Sequence, residues 1–222
     1  MGRKTTELVF ILDKSGSMAG QETDTIGGYN SMLTKQREED GECLVTTVLF
    51  DTYYKLIQDR TDIQGVKNMT RHDYSAGGST ALIDAIGITI AKIENAHQNT
   101  VEECRPKKVL FVIITDGEEN SSREYSANQV RAKIEKKQEE DNWEFIFLGA
   151  NIDAVKSAER IGIKYDRAIN YLQDTEGTII NYSALSDTVS DFRKSGIIDE
   201  THFEKIRADY EKRKQAVKRT RF

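Results

Sequence analysis

What this chain of 222 residues has little of narrows its class before any motif is read. Its longest apolar runs, Leu8 to Leu12 and Val109 to Ile114, fall far short of the roughly 20 residues a membrane-crossing helix requires. A membrane protein is therefore not expected. Cysteine occurs only at Cys43 and Cys104, 61 residues apart, which resembles neither a zinc ligand set nor a disulfide framework. Both are expected to be small buried apolar residues. Proline occurs once, at Pro106, and no repeat or low-complexity linker interrupts the chain. That pattern predicts one domain over residues 1–198 with a helical extension over residues 199–222.

Net positive charge is confined to one end. Residues 204–222 hold eight Lys/Arg against three Asp/Glu and carry +5, so the first 203 residues carry −10 of the total of −5. An acidic body argues against nonspecific nucleic-acid binding, which needs a cationic surface to displace counterions from phosphates. The basic tail reads as a solvated charged helix, with contact to nucleic acid or an acidic partner as its alternative. Asp13 breaks the first apolar run after five residues, so no signal peptide is expected. Met1-Gly2 with Thr6 fits a three-position myristoylation pattern that carries little information. The expected compartment is the cytoplasm.

What is present is an alternation of apolar runs with amphipathic stretches, the mark of a βαβ-built parallel sheet. Leu8 to Leu12 is continuously apolar, as a strand buried on both faces should be. A helix follows over Thr25 to Glu39, closed by Gly41, and then a strand over Cys43 to Phe50. Asp51 and Thr52 leave no room for a crossover before Tyr53 to Ile57, so that run returns as an antiparallel edge strand. A helix over Ala81 to Ala96 precedes the strand Val109 to Ile114. Ser126 with Gln129 forms a capping-box pattern before a helix carrying Val130 and Ile134. Trp143 to Leu148 and Ala168 to Tyr171 read as strands around a short helix, Ala154 to Ile161, and a helix near Thr178 to Arg193 closes the domain. Thr201 with Glu204 is a second capping-box match, opening a helix whose Phe203, Ile206, Tyr210 and Val217 form a narrow stripe.

Three loops fall at the ends of the central strands: Asp13-Lys14-Ser15-Gly16-Ser17-Met18, Gly77-Gly78-Ser79-Thr80 and Thr115-Asp116-Gly117. Ligands of open parallel sheets bind in the crevice outside the carboxyl ends of the strands. Two carboxylates and three hydroxyls meet there on this reading, all hard oxygens, a set that suits Mg²⁺ or Mn²⁺ with water completing the octahedron. An ion held by neutral hydroxyls stays electrophilic and accepts a further anionic ligand, most simply a carboxylate of another protein. Asp-x-Ser-x-Ser taken by itself also fits an N-capping loop. The pair Glu118-Glu119 reads as a solvated loop, and His72, His97 and His202 receive no role.

With these residues the sequence resembles a von Willebrand factor A domain with a complete metal-ion-dependent adhesion site. Asp13, Ser15 and Ser17 match the family's Asp-x-Ser-x-Ser, Thr80 its distal threonine and Asp116 its distal aspartate. The wording Asp-Lys-Ser-Gly-Ser-Met is similar to bacterial or phage intracellular members, including those near tellurium-resistance genes. The resemblance covers residues 5 to 195. It implies a doubly wound, Rossmann-like α/β fold, with strand order 3-2-1-4-5-6, one antiparallel edge strand and helices on both faces. It also implies that Ser15, Ser17 and Thr80 hold the ion directly and that Asp13 and Asp116 act directly or through water. In that strand order the two cysteines would lie on opposite sides of the first strand, too far apart for a disulfide.

The function expected is a cytosolic module that captures an Asp or Glu carboxylate of a protein partner through the ion. The alternative is a metal-dependent phosphatase or phosphotransferase of the haloacid dehalogenase type. That chemistry requires a second carboxylate two residues after the first, where this chain has Ser15, a hydroxyl that cannot transfer the proton near neutral pH.

Overall fold

The structure is a computed structural model that describes residues 5–219. Six strands form one sheet: β1 (Thr6–Asp13), β2 (Cys43–Phe50), β3 (Tyr54–Asp62), β4 (Lys108–Thr115), β5 (Glu144–Ala150) and β6 (Ala168–Tyr171). Their order is β3-β2-β1-β4-β5-β6, every pairing being parallel except β2 with β3. The expected doubly wound sheet with one antiparallel edge is therefore found. Six α-helices accompany it: α1 (Glu22–Glu38), α2 (Leu82–Gln98), α3 (Ala127–Asp141), α4 (Ala154–Arg160), α5 (Thr175–Ser195) and α6 (Thr201–Arg219).

Strand alternation splits the core into two layers. Leu8, Phe10 and Leu12 of β1 pack with Tyr29, Met32 and Leu33 of α1 and Leu185, Val189 and Phe192 of α5. Val9 and Ile11 point the other way, toward Ile86, Ile90 and Ile93 of α2 and Val130 and Ile134 of α3. A strand covered on both faces has no polar side to present, which is why its sequence runs apolar without interruption.

Several boundaries differ from the sequence reading. β3 extends to Asp62 because a register irregularity opposite Val45 to Val48 lets the pairing with β2 continue past Ile57. Trp143 precedes β5 and stacks on Phe111, its ring also meeting His97 edge to face. The capping box of Ser126 and Gln129 forms as expected. The second one does not: the Thr201 backbone N–H and hydroxyl both donate to Asp199 Oδ1, at 2.9 and 2.8 Å. Asp199 is the nearer acceptor and captures the threonine before Glu204 is needed. Of the α6 stripe, Phe203 and Ile206 are buried against the body and Tyr210 is half-buried. The Val217 side chain, like Met1 and Gly2, lies outside the described residues.

The cysteines also divide. Cys43 is buried on β2 and burial pushes its thiol up to about 12, whereas Cys104 is exposed in the short turn before β4, so its expected burial was wrong. Both are free. None of the three residues of that turn, Glu102–Cys104, is buried.

His97, given no role from sequence, contacts a buried charge. Glu7 of β1 is wholly inaccessible and accepts from Arg60 Nε at 2.6 Å, while His97 Nε2 lies 2.6 Å from its other oxygen. Arg60 reaches it from a left-handed backbone, φ 45°, at the irregularity in β3. Removing one partner of a buried pair strands the other charge. Arg60→Ala is expected to cost about 3 kcal/mol in urea unfolding, the low end for a broken buried pair because His97 remains. A loss below about 1 kcal/mol would place this pair with exposed ones.

Candidate metal centre

Three loops meet at the C-terminal end of β1. The first, Lys14 to Met18, is stitched to its neighbours by backbone bonds: Lys14 N–H to the Phe50 carbonyl at 2.8 Å and Gly16 N–H to the Gly78 carbonyl at 3.0 Å. The Gly77 N–H returns to the Lys14 carbonyl at 2.9 Å. Gly78 has φ +74°, and a Cβ there would stand 2.9 Å from Thr52 Oγ1. Only glycine permits this turn without strain. The third loop closes against the second. Asn120 Oδ1 accepts from the Thr80 N–H at 2.9 Å and its own N–H donates to the Thr80 carbonyl at 3.1 Å.

All five residues singled out from the sequence lie in this junction. Asp13 is 1% exposed; its Oδ1 accepts from the Ser15 N–H at 2.7 Å and its Oδ2 from the Thr115 hydroxyl at 2.6 Å. Ser17 Oγ donates to Asp116 Oδ1 at 2.6 Å and lies 3.0 Å from Ser15 Oγ. The one proton of Ser17 is thus committed to Asp116, which makes Ser15 the donor between the two serines. A Cβ on Gly117 would stand 2.7 Å from Thr80 Oγ1 and 3.4 Å from Ser17 Oγ. The absence of that carbon is what lets the Thr80 hydroxyl approach the serine-aspartate group.

The electrostatics are unbalanced. Burial pushes the Asp13 carboxyl up against hydrogen bonds from Thr115 and Ser15, and the Asp116 charge adds to the rise. Burial likewise pushes Asp116 up, opposed by hydrogen bonds from Ser17 and Gln173. Among the described residues no Lys, Arg or His pairs with either carboxylate; the nearby Lys14 ammonium is taken by Asp51. No three His, Cys, Asp or Glu side chains cluster as a metal site among the described residues, so an ion here would rest on hydroxyls with two carboxylates. That set of hard oxygens around two desolvated charges fits a small divalent cation.

Sequence reasoning missed several supports. Thr115 was quoted within a motif but given no role, and it fixes Asp13. The Tyr74 hydroxyl donates to the Asp13 carbonyl, and Gln173 Nε2 donates to Asp116 Oδ2. Gln173 follows β6, so strand-end logic alone could have flagged it. Glu119, read as a solvated loop residue, instead accepts from the Ile83 N–H at 2.8 Å and from the Ser121 and Ser122 N–H groups at 2.9 and 2.8 Å. It serves the exposed donors at the start of α2, where a carboxylate is favoured.

A doubly wound sheet with an oxygen-rich site at the strand ends flanking β1 defines a class of ligand-binding α/β domains. Within that class the chain belongs to the von Willebrand factor type A domain family, whose model matches residues 7–184. Comparison with curated protein sequences finds no match. Solved structures share the fold. The von Willebrand factor domain of the type V pilus tip protein Mfa5 from Porphyromonas gingivalis is 9% identical, with a TM-score of 0.61, 89% of this chain and 99% of that one being covered. Mussel byssus proximal thread matrix protein 1, solved with a zinc-occupied adhesion-site motif, is 14% identical over 85% of this chain and 46% of that one, with a TM-score of 0.56. A von Willebrand factor type A protein from Catenulispora acidiphila is 14% identical over 85% of this chain and 43% of that one, with a TM-score of 0.54. The chain thus spans less than half the length of the last two proteins.

Gly78→Ala tests the turn that carries Thr80. Forcing an L residue into the left-handed region costs about 1–2 kcal/mol. Thermal unfolding should register at least that loss, and an unchanged midpoint would mean the loop relaxes freely.

Proposed function

We propose that this chain is a divalent-cation-dependent protein-interaction module rather than an enzyme. Ser15, Ser17, Thr80, Asp13 and Asp116 hold Mg²⁺ or Mn²⁺, and the ion receives an Asp or Glu carboxylate of a protein partner. The observation that carries this reading is the pair of buried carboxylates that no cationic side chain among the described residues meets, gathered with hydroxyls at one point. When bound, the ion supplies an electrophilic position open to an anionic ligand. The protein's part is to hold the donors. Ser15 and Thr115 fix both oxygens of Asp13, leaving it further acceptor capacity, and Asn120 aligns the backbone of Thr80.

The zinc-bearing adhesion-site motif of the mussel protein supports the assignment of a metal to this class of site. Nothing in the geometry favours the phosphatase alternative. Ser15, at the position where that chemistry needs an acid, is occupied with Ser17.

Saturating Mg²⁺ or Mn²⁺ should raise the melting temperature relative to chelator, reflecting about 2.7 kcal/mol at a hundredfold excess over the dissociation constant. Asp13→Ala should abolish the shift. In a pulldown with Mg²⁺, partners should be lost with chelator and with Thr80→Ala. Partners indifferent to both would place recognition elsewhere on the molecule.

A further inference from the structure

The side chain of Gln173 connects the candidate site to the end of β5, and the next residue, Asp174, reaches a helix beyond the family match. Its Nε2 donates to Asp116 Oδ2 and, at 3.2 Å, to the Ser17 carbonyl, while its Oε1 accepts from Asn151 Nδ2. Asn151 sits just after β5 with φ 55°, a left-handed conformation that aims its side chain across the strand ends. The two oxygens of Asp116 therefore have different tasks: Oδ1 faces the serine hydroxyls and Oδ2 is committed to Gln173.

The next residue, Asp174, ties this loop to both final helices. Its Oδ1 caps α5 by accepting from the Gly177 N–H at 2.8 Å, and its Oδ2 accepts from Arg213 Nη1 of α6 at 2.7 Å. Arg213 is itself aimed by Asp209, which accepts from its Nε at 2.9 and 3.1 Å. Charge-assisted bonds from a planar guanidinium fix direction as well as distance. Residues 173 and 174 are thus held between the end of β5 and a helix that lies wholly beyond residue 184, where the family match ends.

We infer that Gln173 is a positioning residue of the cation site and that α6, through Arg213 and Asp174, holds it in place and so sets the site's affinity. This rests on the cation-binding reading above. A carboxylate with one oxygen tethered keeps the other directed at the ion; released, it rotates and loses that direction. Partners of this kind around a metal ligand are worth about tenfold to a hundredfold in affinity. The effect is static and requires no helix to move.

The test is calorimetric titration of the full chain with Mg²⁺ and with Mn²⁺, with metal-free melting temperature recorded for every variant. Gln173→Ala is expected to weaken binding about tenfold or more with little change in metal-free stability. Arg213→Ala should weaken it about threefold or more. Arg207→Ala, which removes a different bond of α6, to the Asp166 carbonyl at 3.1 Å, should leave affinity unchanged. The double variant Gln173→Ala/Arg213→Ala should bind no more weakly than Gln173→Ala alone, because the two act in series. If Gln173→Ala disturbs the fold, Asn151→Gly removes the Gln173 anchor while suiting the left-handed backbone, and should also weaken binding.

Wild-type binding with Gln173→Ala within twofold of it would overturn this inference and leave the cation site standing. Equal effects of Arg213→Ala and Arg207→Ala would remove the Arg213–Asp174 contact from it. A wild type that binds neither ion would overturn both readings.

Discussion

A carboxylate buried at the end of the central strand is the constraint around which this molecule is arranged. Asp13 closes β1, the strand with neighbours on both sides and helices on both faces, and at 1% exposure it has almost no water to solvate its charge. Burying an ionised group is costly unless hydrogen bonds and an opposite charge compensate. The structure supplies the first from two directions, the Ser15 N–H and the Thr115 hydroxyl, while the Tyr74 hydroxyl holds the backbone carbonyl of the same residue. These bonds reach into the loop after β1, the end of β4 and the loop before α2. Fixing this one residue, side chain and backbone, therefore fixes the geometry of three segments.

The two ends of β1 show the difference between a charge settled by the fold and one that is not. Glu7, near the strand's start, is as inaccessible as Asp13, yet Arg60 and His97 both meet its carboxylate. Asp13 and Asp116 have only neutral donors among the described residues, and burial pushes both carboxyls up. An arginine stands beside one buried acid, and among the described residues none stands beside the other two. Lys14 sits next to Asp13 in sequence, but its ammonium is turned to Asp51. The missing counter-charge at the strand ends is what an external cation would provide.

The strand–helix alternation, the antiparallel edge and the gathering of the five site residues are legible because they follow from short-range rules, whereas the strand order is what the family resemblance implies. Continuous apolar runs mark doubly covered strands, a two-residue gap forces a hairpin, and loops after parallel strands share one edge of the sheet. Less legible were features that depend on which of several acceptors lies nearest. Asp199 takes Thr201 before Glu204 does, and Glu119 turns inward to the start of α2 although it reads as a surface acid. The contact of Arg60 with Glu7 spans 53 residues and depends on a strand irregularity that no periodicity announces. Gln173 follows β6, so strand-end logic brings it to the site, but its pairing with Asp116, 57 residues away, has no motif to announce it. Such pairings are set by tertiary distance, which a single sequence does not carry.

The charge asymmetry takes on a different meaning once α6 is placed. The +5 of residues 204–222 reads in isolation as a solvated charged helix, with contact to an anionic partner as the alternative. In the structure Arg207 donates to the Asp166 carbonyl, Arg213 pairs with Asp174 and Asp209, and Lys214 donates to the Tyr210 hydroxyl. Phe203 and Ile206 bury the same helix against the body. Three of its cations are thus engaged with acceptors of the protein itself, and two of those acceptors lie on the body of the domain. Electrostatic capture of a polyanion needs many cations facing solvent together, because each contributes by releasing a counterion from the phosphates. A helix that turns part of its basic side inward gives up that additive effect and gains a fixed position against the acidic body.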